Sequence, residues 1–141
     1  MNNLERLGAS FRDPSGFLFK RDGVLYRQVN TSYRKAYDHL MSSGLYDALA
    51  ASHKMVAHTE ANEPPAEPNR AYKVIQPELI PMISYPYEWS FSEMKDAALL
   101  TLEIGRMALQ KNMILKDASA YNIQFLDGKP ILIDTLSFDI Y

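Results

Sequence analysis

The spacing of apolar residues changes period several times along the chain, and each change marks an element. Between Phe17 and Val29, two runs rich in aromatic and branched residues, Phe17 to Arg21 and Val24 to Val29, flank Asp22-Gly23. Asp-Gly between such runs is the strongest short hairpin signal, because it supplies the positive backbone angles of a two-residue turn. A hairpin with arms Phe17 to Arg21 and Val24 to Val29 is therefore expected, and a two-residue turn sets Phe19 opposite Tyr26. The preceding Asp13-Pro14-Ser15-Gly16 is turn chemistry. Tyr33, Ala36, Tyr37, Leu40 and Met41 then fall on one helical face, behind Asn30, Thr31 or Ser32 as caps and ahead of Ser42-Ser43-Gly44 as a stop. A helix from about Tyr33 to Met41 and a short second one from Tyr46 to Ala51 are expected.

From His58 to Arg70 the chain carries three prolines and almost no apolar residue. Such a segment reads as an exposed, flexible loop, because it buries too little to offset its ordering entropy. Tyr72 to Ile75 and Leu79 to Tyr85 read as strand material. Ser90 and Glu93 then form a capping box, with Trp89 and Met94 as a hydrophobic staple around it. The helix they open should reach about Lys111 and bury Ala97, Leu100, Ile104, Met107 and Ala108. The aromatic residues Tyr85, Tyr87 and Trp89 are expected to pack a core edge beside this cap. A second hairpin, Asn122 to Leu126 and Pro130 to Ile133 around Asp127-Gly128, is apolar on both faces and expected to be buried on both.

Composition narrows the function. The chain has 141 residues, 47% of them hydrophobic and 23% charged, the balance of one ordinary soluble domain. A formal net charge of -2 with scattered basic residues offers no field for nucleic acid or an anionic membrane. No cysteine is present, so thiolate catalysis and disulfides are excluded. His39, His53 and His58 lack metal-motif spacing and read as surface or linker residues. No apolar run is long enough for a membrane span, and the polar start Met1 to Glu5 lacks a signal-peptide pattern, so a cytoplasmic location is expected.

The string that carries chemistry is Leu115-Lys116-Asp117-Ala118-Ser119-Ala120-Tyr121-Asn122-Ile123, followed by Ile131-Leu132-Ile133-Asp134. Phosphoryl transfer needs a carboxylate to orient the acceptor hydroxyl, and an amide and a second carboxylate to hold magnesium on the phosphates. Met113 to Phe138 resembles the catalytic segment of protein kinases and, more closely, of aminoglycoside-phosphotransferase-like small-molecule kinases. The resemblance implies Asp117 as catalytic base, Asn122 and Asp134 as metal ligands, and Mg and ATP as cofactors. Arg27 stands near the family's phosphate-binding lysine and is the candidate cofactor-binding residue; otherwise it is a solvated strand residue. The fold implied is α+β, a kinase-like N-lobe hairpin and helix, a long helix and a catalytic-loop hairpin, with the C-terminal lobe incomplete. Leu115 occupies the position of the usual histidine, Thr135-Leu136 follows the metal aspartate, and no glycine-rich phosphate loop is visible. Weak or absent ATP binding and an inactive isolated chain are expected.

The strings Ser32-Tyr33 through Gly44-Leu45-Tyr46, Tyr85-Pro86-Tyr87-Glu88-Trp89-Ser90 and Leu115 through Asn122 carry a second resemblance. It extends over essentially the whole chain, to the N-terminal region of bacterial class I S-adenosylmethionine methyltransferases of nodulation-protein type. No Gly-rich cofactor loop follows a strand here, so S-adenosylmethionine is expected only through a downstream domain. Residues 1–141 are thus expected to form one kinase-like domain or N-terminal fragment with a flexible loop at 58–70. Three functions follow: an accessory, non-catalytic module of a larger protein, a phosphotransferase needing a missing lobe, or a structural interaction domain. Expected partners are a downstream domain, or a second copy through 135–141, whose Leu136, Phe138, Ile140 and Tyr141 alternate with polar Thr135, Ser137 and Asp139; the alternative is that this tail folds back over the groove near Asp117.

Overall fold

The computed structural model describes residues 4–6, 14–81 and 83–141, and shows a mixed α/β protein with three α-helices and antiparallel strands. Asp13 of the expected first turn and Met82 lie outside the described residues. The chain divides into two compact units, Met1–Tyr37 with Ala57–Glu78, and Asp38–Val56 with Leu79–Tyr141. Among the described residues, no helix is long and apolar enough to cross a membrane.

The first unit is a five-stranded antiparallel sheet. Its strands are β1 (Leu4–Arg6), β2 (Gly16–Arg21), β3 (Val24–Asn30), β4 (His58–Glu60) and β5 (Ala71–Pro77), in the order β1-β2-β3-β5-β4. Asp22 and Gly23 take φ of 53° and 80°, the paired positive angles of a turn whose twist matches the strands. The register sets Phe19 opposite Tyr26, as the two-residue turn predicts. Their rings stack at 5.6 Å and form an apolar cluster with Phe17 and Val74.

His58–Glu60 corrects the loop reading at its first three residues, since they pair with Gln76, Pro77 and Ile75 as an edge strand. His58 is buried, not a surface residue. Its Nε2 lies 3.1 Å from the Tyr37 hydroxyl, which also donates to Glu60 at 3.1 Å. Further along, Gln28 on β3 grips the proline-rich segment. Its Oε1 accepts from the Glu67 N–H at 2.9 Å, and its Nε2 donates to the Glu67 carbonyl at 3.1 Å. One amide side chain thus satisfies both main-chain groups of a residue that no strand reaches. We expect Gln28→Ala to release this segment, so that limited proteolysis nicks between Ala61 and Arg70 many-fold faster than in the parent chain. Unchanged cleavage would show that the segment is held by other contacts.

Helix α1 (Arg34–Ser42) follows a 3₁₀ turn at Thr31–Tyr33. The second unit contains α2 (Leu45–Ala51), α3 (Phe91–Gln110), β6 (Met113–Leu115), β7 (Ile123–Leu126), β8 (Lys129–Leu132) and β9 (Phe138–Ile140). The capping box forms as expected: Glu93 N–H donates to Ser90 Oγ at 3.2 Å, and Ser90 N–H donates to the Glu93 carboxylate at 3.0 Å. Ala97, Leu100, Ile104 and Ala108 are buried along α3, whereas Met107 is only half-buried.

The staple is corrected. Met94 is half exposed, and Trp89 packs edge-on against Phe125 at 5.0 Å while its indole N–H donates to Ser84 Oγ at 2.9 Å. Leu79 to Tyr85 is not a strand among its described residues. Instead Gln124 holds it, accepting from the Ser84 N–H at 2.8 Å and donating to the Ser84 carbonyl at 3.0 Å. Prolines at 77, 81 and 86 remove ladder donors from this stretch, so a side chain supplies the pairing. Tyr85 and Tyr87 are exposed and stacked on each other at 5.6 Å, rather than packed into a core edge.

Candidate functional site

The segment Met113 to Phe138 begins on β6, which pairs antiparallel with β9 through Met113↔Ile140 and Leu115↔Phe138. One further bond, Lys116 N–H to the Ser137 carbonyl at 2.7 Å, carries the ladder to the residue before Asp117. The tail therefore folds back beside the loop. Thr135 and Ser137, expected to be exposed, are buried at 2% and 1%, and Leu136 and Phe138 are fully covered. Only Ile140 and Tyr141 of its apolar residues stay exposed, so the open apolar face expected of 135–141 is largely closed by this chain's own residues.

The loop that follows is organised by short-range hydrogen bonds. Asp117 accepts from the Ser119 N–H at 3.0 Å through one oxygen, and from the Asn122 amide at 2.9 Å through the other. Ser119 Oγ accepts from the Tyr121 N–H at 3.2 Å, and its carbonyl accepts from the Asn122 N–H at 3.0 Å. Asp and Ser side chains closing on main-chain donors two residues ahead is a sequence-local habit. Ser119 is thus a loop organiser that motif reading passed over, although the Asp-x-Ser spacing signals it.

Two of the three predicted residues are brought into direct contact, Asp117 and Asn122. The third follows by one link, because the Asn122 carbonyl accepts from the N–H of Ile133, the neighbour of Asp134, at 2.8 Å. The turn at Asp127-Gly128 has two residues, pairing Ile123 with Leu132. Strict alternation in that register would send Asn122 and Asp134 to opposite faces. The strand ends at Leu132, however, Asn122 closes a 3₁₀ turn (Ala120–Asn122), and a turn spans Thr135–Leu136. Neither side chain sits in a ladder, so alternation does not decide where they point. Asp134 spends one carboxylate oxygen on the Leu136 N–H at 3.0 Å.

Burial of the hairpin also differs from expectation. Ile123, Gln124, Ile131 and Leu132 at its root are buried, while Phe125, Leu126 and Pro130 toward the tip are half-buried and Lys129 is exposed. Arg27 belongs to the sheet unit, on β3 between Leu18 and Ile75, and is buried rather than solvated. A cleft of about 610 Å³ opens in the second unit beside α3, with Lys54, Asp96, Leu99, Glu103 and Lys129 on its walls, and none of Asp117, Asn122 and Asp134 lines it. Among the described residues, no group of three or more His, Asp or Glu side chains is placed to hold a metal. The candidate set instead offers two carboxylates and an amide, hard oxygen donors of the kind magnesium takes in small number.

The chain is similar to a bacterial nodulation protein. It is 34% identical over 139 residues to nodulation protein NoeA of Rhizobium meliloti (strain 1021), an alignment covering 96% of this chain and 29% of NoeA. No family model matches the chain. The similarity to NoeA takes in both compact units, and this chain spans under a third of NoeA's length.

Proposed function

We propose that this chain is a non-catalytic, accessory module of a longer bacterial protein, built around a kinase-like loop. The observation that carries the reading is the unequal coverage, in which nearly the whole chain is matched within a small share of NoeA. In this reading the module is cytoplasmic, and any S-adenosylmethionine-dependent chemistry resides in other parts of the longer protein. Its role is to present substrate or partner to that part.

Asp117 is held in place by the loop, each oxygen accepting one bond and keeping a further lone pair, so the non-catalytic half of the proposal rests on the nucleotide side. Asn122 and Asp134 have donor atoms that fit a hard cation, and they are the residues that would hold magnesium. A nucleotide is less well served, because the sequence supplies no glycine-rich cradle and Arg27 is buried. Incubation with Mg–ATP and small hydroxyl or amino acceptors should give no phosphoryl transfer above a no-protein control. Turnover abolished by Asp117→Asn, with the fold retained, would replace this reading with a phosphotransferase.

A further inference from the structure

One face of the five-stranded sheet is covered by the chain's own proline-rich segment, and that pairing has the chemistry of peptide recognition. Residues two apart on a strand share a face. The register sets Phe19 opposite Tyr26, Phe17 opposite Gln28 and Gln28 opposite Val74. Phe17, Phe19 and Arg21 of β2, Tyr26 and Gln28 of β3 and Val74 of β5 therefore stand together on one side. Aromatic rings with polar side chains among them are what an extended, proline-containing peptide docks on.

Segment 61–70 lies on this face in the manner of such a peptide. Pro64, Pro65 and Pro68 restrict its backbone angles, and Ala61 and Ala66 pack against the aromatic cluster. Gln28 holds both main-chain groups of Glu67, and Arg21 donates to the Pro64 carbonyl. The Glu63 carboxylate sits 3.7 Å from the Arg21 guanidinium and interacts with the Tyr26 hydroxyl. Bonds to main-chain groups do not depend on which chain supplies the peptide.

The segment leaves part of the face unused. The Nε–H of Arg21 is buried and has no acceptor among the described residues, although a carboxylate seated squarely on a guanidinium takes two parallel bonds. A cavity of about 460 Å³ stays open, lined by Pro65 and Pro68 of the segment and by Tyr72 and Val74 of β5. No residue from 61 to 70 is itself buried, so the segment is a cover and not a part of the core. Its own sequence shows what fits beneath it: prolines, with a carboxylate just ahead of them. We propose that this face is a docking site for a proline-rich, acidic peptide of a partner protein, occupied in cis by segment 61–70 until the partner displaces it.

The probe is a fluorescent synthetic peptide with the sequence of residues 60–70, and its control has the three prolines replaced by alanine. A tethered segment competes at an effective concentration on the order of millimolar, so the parent chain should bind the probe weakly. Pro64→Gly/Pro65→Gly loosens the segment and leaves the face intact. Anisotropy titration of that variant should show saturable binding, about tenfold or more tighter than for the parent chain. Glu63→Ala, at a half-buried position, should shift affinity in the same direction. In the loosened chain, the alanine peptide and Arg21→Gln should each weaken binding by about tenfold or more, with circular dichroism showing an intact fold. Equal affinity of the parent and loosened chains, equal affinity of the two peptides, or no saturable binding to the loosened chain overturns the proposal. So does a concentration-dependent dimer that the probe dissociates, because the face then takes the segment of a second copy.

Discussion

Phe19→Ala should destabilise the sheet unit by about 3–5 kcal/mol, the cost of emptying an aromatic site in a packed core. Phe19 is fully buried. It stacks on Tyr26 at 5.6 Å, meets Phe17 at 6.3 Å, and carries the Arg21 guanidinium 5.4 Å from its ring centre. Removing the ring therefore deletes a cross-strand pair and one face of the Arg21 site together. Arg21 itself is buried and bonds to the Pro64 carbonyl, with Glu63 at 3.7 Å. Loss of Phe19 should thus also loosen the proline-rich segment. Denaturant unfolding followed by Tyr fluorescence and by circular dichroism measures the change. A loss under about 1 kcal/mol would mean that the site collapses, and that the hairpin is not the centre of the unit.

The second large effect is a pH dependence centred on His58. Burial lowers its pKa from the usual 6.5 to about 4, partly opposed by the nearby Glu60 carboxylate. The folded protein therefore binds a proton at His58 less readily than the unfolded chain does. Stability from this residue is complete above pH 6.5 and is lost progressively as pH falls toward about 4. The loss reaches about 3 kcal/mol at most, at about 1.4 kcal/mol for each unit of pKa difference. His58→Gln keeps a polar side chain for Tyr37 but cannot titrate in this range. Unfolding free energies of the two proteins should converge below pH 6 relative to their separation at pH 8. A parallel pair of curves, or an imidazole titrating near its ordinary value by NMR, contradicts the buried-neutral account.

The elements legible in the sequence are those specified by neighbours. Asp22-Gly23 and Asp127-Gly128 dictate their turns through local backbone angles. Ser90 and Glu93 dictate the start of α3 across three residues. What stayed hidden depends on residues far apart in the chain. Gln28 and Gln124 carry no local signature of clamping main chain 39 and 40 residues away. His58 looks like the opening of a polar loop because its burial comes from Tyr37 and from pairing with β5. Thr135 and Ser137 mislead in the same way, since their alternation with Leu136 and Phe138 suggests an exposed polar face. The chain there is turning, then pairing with β6, and it buries both kinds of residue.

The candidate site was legible as a spacing and not as an arrangement. Asp117 and Asn122 stand five apart, and the structure joins them by a hydrogen bond. Ser119 closes on Asp117 as the Asp-x-Ser spacing signals, whereas no spacing reveals that the hairpin register leaves Asp134 beyond the strand. Arg27 stands in the sequence where a strand ending in a phosphate-binding cation is expected. Its burial depends on β2 and β5 on either side, information that enters only with the sheet order.

The most direct test of the proposal that this chain is a non-catalytic module is calorimetric titration of the intact chain with magnesium and ATP. The account predicts no saturable heat up to millimolar nucleotide, and the same trace for Asp134→Ala. A micromolar dissociation constant in the parent chain that vanishes in Asp134→Ala would contradict it, and would make Asn122 and Asp134 working metal ligands of a nucleotide-binding enzyme.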